Sequence, residues 1–338
     1  MDPFTHALAS YTLKRAAFPR CTRNVTIAML LAGTIADLDG LSAYFGPSVF
    51  LTFHRTYTHS LLAALFVALL IALLFQFPKR PPTETQISIK DVFVPAAAAA
   101  LLHLFMELCQ SVGVGLFWPF SPRRFALDWL AHLDLWILGI LLAGLLLPLL
   151  SGLVTEEIGA KSKGPKGRAG ASLALATLVL YIGARAVLHS SAIAVLESRT
   201  YHGEPPRRMA AFAESASPFR WHGIVETESA LHDVEVEVGP GASFDPETAT
   251  TSYKPEPSSA LDAARDTPVA RLFLQTARFP KASVEKTPQG FHIILHAFPY
   301  TRDASSGRRV EALIDTDPSG KILSQELAWE PGSKAAWW

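Results

Sequence analysis

Four long apolar runs, each bounded by polar or charged residues, dominate the first 198 residues: Ser60–Phe77, Val92–Gln110, His132–Leu153 and Ala171–Leu196. As helices, each is long enough to cross ~30 Å of hydrocarbon. Two shorter runs precede them. Pro3–Phe18 reads as a helix with Pro early in its first turn and Lys14-Arg15 at its end. Pro19–Arg23 breaks it, and a second apolar run from Asn24 to about Ile35 ends in Ala36-Asp37-Leu38-Asp39-Gly40. Each arm is shorter than the ~20 residues of a full span, so a helical hairpin or re-entrant pair competes with a single crossing helix. Either arrangement returns Asp37 and Asp39 to the level of His6.

Beyond Leu196 the pattern changes from long apolar runs to alternation. Strand-like stretches fall at Ile224–Val238 (Val234, Val236 and Val238 in period two), Ala270–Ala277, Phe291–Phe298, Arg309–Ile314 and Ile322–Trp329. Asp317-Pro318-Ser319-Gly320 is a turn signal between the last two, and Asp245–Asp266 reads as a loop. Tyr201–Pro218, with Pro205-Pro206, looks like a linker. The predicted fold is an α-helical multi-span membrane domain over 1–198, a linker over 199–220, and a small, mainly antiparallel β domain over 221–338.

Composition supports a membrane chain. Of 338 residues, 49% are hydrophobic and only 18% charged, and the mean hydropathy is +0.24. Net charge is zero, so no nucleic-acid partner is implied, and two cysteines in different segments make neither a disulfide framework nor a metal spacing. Met1–His6 lacks the basic and apolar regions of a cleaved signal, so the first membrane segments are expected to direct insertion. Lys14, Arg15, Arg20, Arg23, Lys79, Arg80, Lys90, Lys161, Lys163, Lys166 and Arg168 gather at one membrane level, against Arg55, Arg123 and Arg124 at the other. The positive-inside rule makes the first level cytoplasmic. The expected topology is therefore multi-pass, with the C-terminal domain extracytoplasmic.

Candidate chemistry concentrates at that outer level. His54-Arg55-Thr56-Tyr57-Thr58-His59-Ser60 packs two imidazoles, a guanidinium, three hydroxyls and one phenol at the mouth of an apolar helix. Polar groups that dense in such a place are costly unless paired or bound to something. His103 and Glu107 lie four apart on a helix, hence on one face; they suit a metal ion or a shared proton, and equally a hydrogen bond holding two helices together. Asp37-Leu38-Asp39-Gly40 resembles the start of a calcium loop, but Ser48 stands where the twelfth-position Glu belongs. Asp128 and His132 are also four apart, with Asp134 close by as a further ligand or an orienting partner. Trp118, Pro119, Phe120 and Trp129 read as interface anchors. Imidazole mixed with carboxylate favours zinc, with manganese next, over magnesium or calcium. The metal-ligand candidates are His6, Asp37, Asp39, His54, His59, His103, Glu107 and Asp134, enough for one or two ions. Asp37 and Glu107 are candidate bases, and Arg55 a candidate stabiliser of a phosphate or other anion.

In combination these residues resemble the membrane-bound metal-dependent hydrolases of the YdjM/YbcI type. Asp2-Pro3-x-Thr5-His6-Ala7-Leu8 is similar to that family's start, Asp37-Leu38-Asp39 to its Pro-Asp-x-Asp element, and His54-Arg55-x-x-Thr58-His59-Ser60 to its most distinctive signature. His103-x-x-x-Glu107 sits where the family has His-x-x-x-Asp; Trp118-Pro119-Phe120-Ser121, Asp128-Trp129 and Asp134 resemble the family's next conserved stretch. Ala36, Thr56, Glu107 and Gln110 depart from the usual Pro, Gly, Asp and Thr. The resemblance covers roughly Met1–Trp136 and implies a hydrolase of a bacterial inner membrane, with substrate unspecified: a small molecule or a lipid, in contact with membrane lipid. A proton- or ion-translocating protein using the same groups would need polar residues that Leu61–Phe75 and Leu135–Leu147 lack. A non-catalytic membrane anchor for the β domain is the remaining alternative.

Overall fold

The computed structural model describes residues 1–76, 88–157, 167–239, 242, 244–298 and 309–331. They form two compact units: Met1–Asp39 with Arg55–Ala186, and Gly40–His54 with Val187–Trp338. In chain order the helices of the first two hundred residues are α1 (Pro3–Ala17), α2 (Arg23–Ala32), a 3-10 segment (Ile35–Phe45), α3 (Pro47–Phe53), α4 (Leu61–Leu74), α5 (Ile89–Leu108), α6 (Leu135–Glu157) and α7 (Arg168–Glu197).

Their ends are set by local chemistry. Asp2 caps α1 by accepting from the Thr5 amide, with Pro3 at the first helical position. Thr22 and Ser60 cap α2 and α4, and Ser88 with Asp91 forms a capping box on α5. Asp134 accepts from the amides of Trp136 and Ile137, both at 3.1 Å, which starts α6 at Leu135 rather than at His132. α1 and α2 form a helical hairpin rather than one crossing helix. It is tight at Gly33, where a Cβ would stand 2.0 Å from Ser10 Oγ.

The packing seam of this unit is built from alanine. Ala64, Ala68 and Ala72 of α4 meet Ala96, Ala97 and Ala100 of α5, and Val25, Ala28 and Ala32 of α2 close the cluster. Small residues let backbones approach closely where a lipid solvent offers no hydrophobic drive between helices. The opposite side of α4 exposes Leu62, Leu65, Phe66, Leu69, Leu70 and Leu73, which is unfavourable in water and suited to lipid. Among the described residues, two helices, α5 with 20 residues and α7 with 30, are long and apolar enough to span a bilayer. α2 and the 3-10 segment, bent by 41°, make a third if taken together. The four-span expectation thus narrows. At 1.5 Å per residue, the 14 residues of α4 reach only about 21 Å. The apolar part of α6, Leu135–Leu150, is also short.

In the second unit, β1 (Arg208–Ala213), β2 (Arg220–Glu226), β3 (Ala230–Glu237) and β4 (Thr250–Tyr253) form one antiparallel sheet in that order. α8 (Ser259–Arg265) and α9 (Pro268–Thr276) lead to the second, β5 (Pro280–Thr287), β6 (Gly290–Ala297), β7 (Val310–Thr316) and β8 (Ile322–Trp329). One face of the first sheet carries Trp221, Gly223, Val234 and Val236, all in register. Gly223 is small because Leu196 of α7 lies against it: a Cβ there would be 3.0 Å from Leu196 Cδ2. The second sheet buries Ile293, Leu295, Ala312 and Ile314 against Leu261, Ala264 and Phe273, with Leu51 of α3 packed on the same cluster.

Several expected elements differ. Ala270–Ala277 belongs to helix α9, capped by Thr267 and led by Pro268; its buried Ala270 and Phe273 are spaced by three, a helical period rather than an alternation. Ile224–Val238 is a hairpin, with the β2–β3 turn at Thr227–Ser229. The expected linker 199–220 contains β1, whose Ala210–Ala213 are buried, and the expected loop Asp245–Asp266 holds β4 and α8. The Asp317 turn is present, its Oδ1 accepting from the Ser319 and Lys321 amides at 2.8 and 2.9 Å.

Candidate metal centre

Three elements of the first unit supply the groups. α5 presents His103 and Glu107 on one face, α1 presents His6, and the 3-10 segment brings Asp37 and Asp39. The loop after α3 adds Arg55, Thr58 and His59. It is held by Asp39 Oδ2, which accepts from the Arg55 amide at 2.8 Å and from the Thr58 hydroxyl. Arg55 adopts the left-handed region, φ 57°, rare for a side chain of its size.

Each of three imidazoles has one ring nitrogen anchored and the other directed inward. His59 Nδ1 lies 3.0 Å from Asp39 Oδ2, and His103 Nδ1 lies 3.0 Å from the Gly33 carbonyl oxygen. Both patterns place the N–H on Nδ1 and leave Nε2 to face inward. The two Nε2 atoms are 3.2 Å apart and stand 3.7 Å (His59) and 3.6 Å (His103) from Asp37 Oδ1. His6 uses its Nε2 on Glu107 Oε1 at 2.9 Å, while its Nδ1 is buried without a hydrogen-bond partner. Asp37 Oδ2 is likewise buried and unpartnered. Donor atoms of His6, Asp37 and His103 all lie within 4.8 Å of one another.

This donor set fits a small divalent ion. Ligands about 2.0–2.1 Å from a tetrahedral centre stand roughly 3.3–3.4 Å apart, close to the observed separations. The orphaned, buried His6 nitrogen is what such an ion would satisfy, together with Asp37 Oδ1 and the two imidazole nitrogens facing it, and Asp37 Oδ2 stays open. The proton-only alternative is also legible. Burial opposes a charged His59, but hydrogen bonding to Asp37 and then Asp39 outweighs it and pushes its pKa up to about 9. In the metal-free state His59 therefore carries the compensating positive charge.

The other predicted residues take different places. Glu107 faces Arg55, whose Nη2 is 2.7 Å from its Oε2; it also meets the Met1 amino group, His6 and the Gln110 amide nitrogen, the last at 3.2 Å. It is a clamp for His6 and Arg55 rather than an open donor. Arg55 keeps Nη1 buried and without a hydrogen-bond partner. Asp39 orients His59. His54 is grouped with the second unit, where its ring stacks on Phe50 at 4.5 Å. Asp134 caps α6 and accepts from the Tyr181 hydroxyl at 3.1 Å. His132 reaches Gln110 Oε1 at 3.3 Å.

Sequence reasoning names Thr58 and Gln110 only within the motifs, without a role at the site, and passes over the Gly33 carbonyl. Gln110 accepts from Arg55 at 3.2 Å as well as donating to Glu107. Its position three residues after Glu107, one turn along the same face, is the available signal. The Gly33 carbonyl carries no side-chain signature at all.

The signature of the YdjM inner membrane protein family matches residues 1–192, which contain every group of the cluster. The chain is 27% identical over 143 residues to the uncharacterized protein YfhP of Bacillus subtilis (strain 168), a stretch covering 40% of this chain and 42% of that relative. It thus spans less than half the length of that relative. No solved structure matches. With a family signature extending over more than half of its length, the chain belongs to the YdjM inner membrane protein family.

Proposed function

We propose that this membrane protein is a divalent-metal-dependent hydrolase whose site, at the extracytoplasmic membrane surface, acts on a phosphoester or a lipid-like substrate. The observation that carries this reading is the convergence of three pre-oriented imidazoles on Asp37, with unpartnered buried donor atoms on His6 and Asp37. One ion, zinc or else manganese, would be held by His6 Nδ1, His59 Nε2, His103 Nε2 and Asp37. When bound it supplies Lewis acidity and brings the pKa of water to about 7. Asp37 Oδ2 accepts the proton that the attacking water gives up. Arg55, fixed by Glu107 and Gln110, turns its unpartnered Nη1 toward the developing anion. Asp39 and Glu107 hold His59 and His6 in the required tautomers.

The orientation follows from charge: Lys79, Arg80, Lys161, Lys163 and Lys166 fall within the 77–87 and 158–166 segments, which lie outside the described residues, with Lys90 and Arg168 just after them, and the cluster is assigned to the opposite level. With α5, the 23-residue α6 and α7 each crossing once, the C-terminal unit then lies outside the cytoplasm. Reporter fusions after Arg80 and after Trp338 should report opposite sides, and agreement between them would overturn this topology.

Metal analysis of the purified protein tests the chemistry. Wild type should carry close to one equivalent of zinc or manganese, and His59→Ala should carry none while staying folded. A wild type that is metal-free and gains no thermal stability from either ion leaves only the proton network.

A further inference from the structure

A cleft lies in the C-terminal unit, between the first sheet and the elements that follow it. Its volume is about 190 Å³. That exceeds the ~150 Å³ apolar cavity that admits benzene and falls short of the ~300–1,000 Å³ of drug-sized sites, so it suits a small group rather than a whole lipid. Its walls carry Arg208, Lys254, Arg265 and Lys281 against a single acid, Glu226. Lys254 uses that acid, its Nζ 2.8 Å from Glu226 Oε1, and Arg208 lies farther off at 3.9 Å. Lys281 and Arg265 therefore remain without a carboxylate partner in the lining, and Arg208 has only the long contact to a carboxylate already used by Lys254. Arg208 is held over the Phe279 ring at 4.3 Å, and Lys281 leans on the neutral Ser252 hydroxyl at 3.2 Å. Lys281 is thus positioned by a neutral partner, and Arg208 by a ring and a long, shared contact to Glu226. The floor is apolar, formed by Leu231, Leu274 and Leu295.

Excess positive charge over an apolar floor, in a cleft of this size, specifies an oxyanion on a short hydrocarbon stem. We propose that this cleft binds the phosphate headgroup end of a small anionic amphiphile, with the anion on Arg208, Lys281 and Arg265 and the stem against the leucines. Guanidinium and ammonium groups suit phosphate oxygens through charge-assisted hydrogen bonds. The site is independent of the proposed metal centre, because its lining comes entirely from residues 208–295.

Calorimetric titration of the full-length, chelator-treated protein in a non-ionic detergent tests the proposal, with hexyl phosphate and inorganic phosphate as probes. Chelation removes any phosphate binding at a metal ion, so failure here and failure of the hydrolase reading are separable. Hexyl phosphate should bind one per chain, about fivefold or more tighter than inorganic phosphate because of the stem. The double variant R208Q/K281Q should weaken it by about tenfold or more. Arg265→Gln, at an exposed position on the last turn of α8, should weaken it about threefold with an unchanged melting temperature, which guards against a folding defect in the double variant. Absence of binding, equal affinity for the two probes, or affinity indifferent to both variants would overturn it.

Discussion

At the scale of single residues, the cluster is organised by which atom each carboxylate occupies. Asp39 spends its Oδ2 on the Arg55 amide, the Thr58 hydroxyl and His59 Nδ1. Through that oxygen it bears on a metal by orienting His59. Asp39→Asn should lower zinc affinity by ~10–100-fold, whereas Asp37→Asn, which alters a donor, should abolish stoichiometric binding; competition against a chromogenic chelator measures both. A second expectation concerns protons. The folded-state pKa of His59 is raised, from 6.5 to about 9, so the charged form contributes stability that is fully present below pH 6.5. It is lost as pH rises through about 9. Metal-free protein should melt at progressively lower temperature across that window, and His59→Gln should flatten the profile. This layer of the site is only partly legible in the sequence. Residue types at helical spacing place His103 beside Glu107, but the roles of donor and orienter depend on atoms. A backbone carbonyl at Gly33 and a glutamine at 110 carry much of the orientation.

At the scale of elements, helix boundaries and seams are readable where one rule acts alone. Ser60, Thr22 and the Ser88–Asp91 pair start helices where capping chemistry says they should. α9 escapes a pattern reading because a short stretch of Phe, Leu and Val satisfies a strand as well as a helix; the Thr267-Pro268 start signal decides it. Asp134 presents the opposite difficulty, since a capping carboxylate and a metal-ligating one look alike in a sequence. Asp134→Ala should cost about 1 kcal/mol by loss of the cap, leave metal content unchanged, and be visible as a lower melting temperature. The alanine seam makes a sharper prediction. Ala68 is fully buried between α4 and its neighbours, with no room for added carbons. Ala68→Leu should destabilise the membrane unit by about 1–3 kcal/mol, whereas Leu69→Ala on the exposed side should be nearly silent; denaturation in detergent micelles compares them.

At the scale of the whole molecule, the division into a helical half and a β-rich half is visible from hydropathy. Membership of the second unit is not. Residues 40–54 interrupt the first unit and are grouped with the far end of the chain: Leu51 packs on the α8–α9 core and Phe50 faces Trp329 at 5.5 Å. No local pattern announces a partnership across so great a separation, because periodicity reports faces and not destinations. Leu51→Ala should therefore lower the stability of the C-terminal unit by about 1–2 kcal/mol, read by protease susceptibility within residues 199–338. The same feature sets a schedule for biosynthesis. α3 leaves the ribosome some 280 residues before β8, which at ~5–20 residues per second is about 15–55 s. Through that interval its apolar side chains wait without their native cover, while the helices on either side are already committing to the bilayer. A nascent chain of this kind depends on whatever shields the waiting segment during translation, so starving the cell of that shield should harm its yield more than any loss of equilibrium stability would suggest.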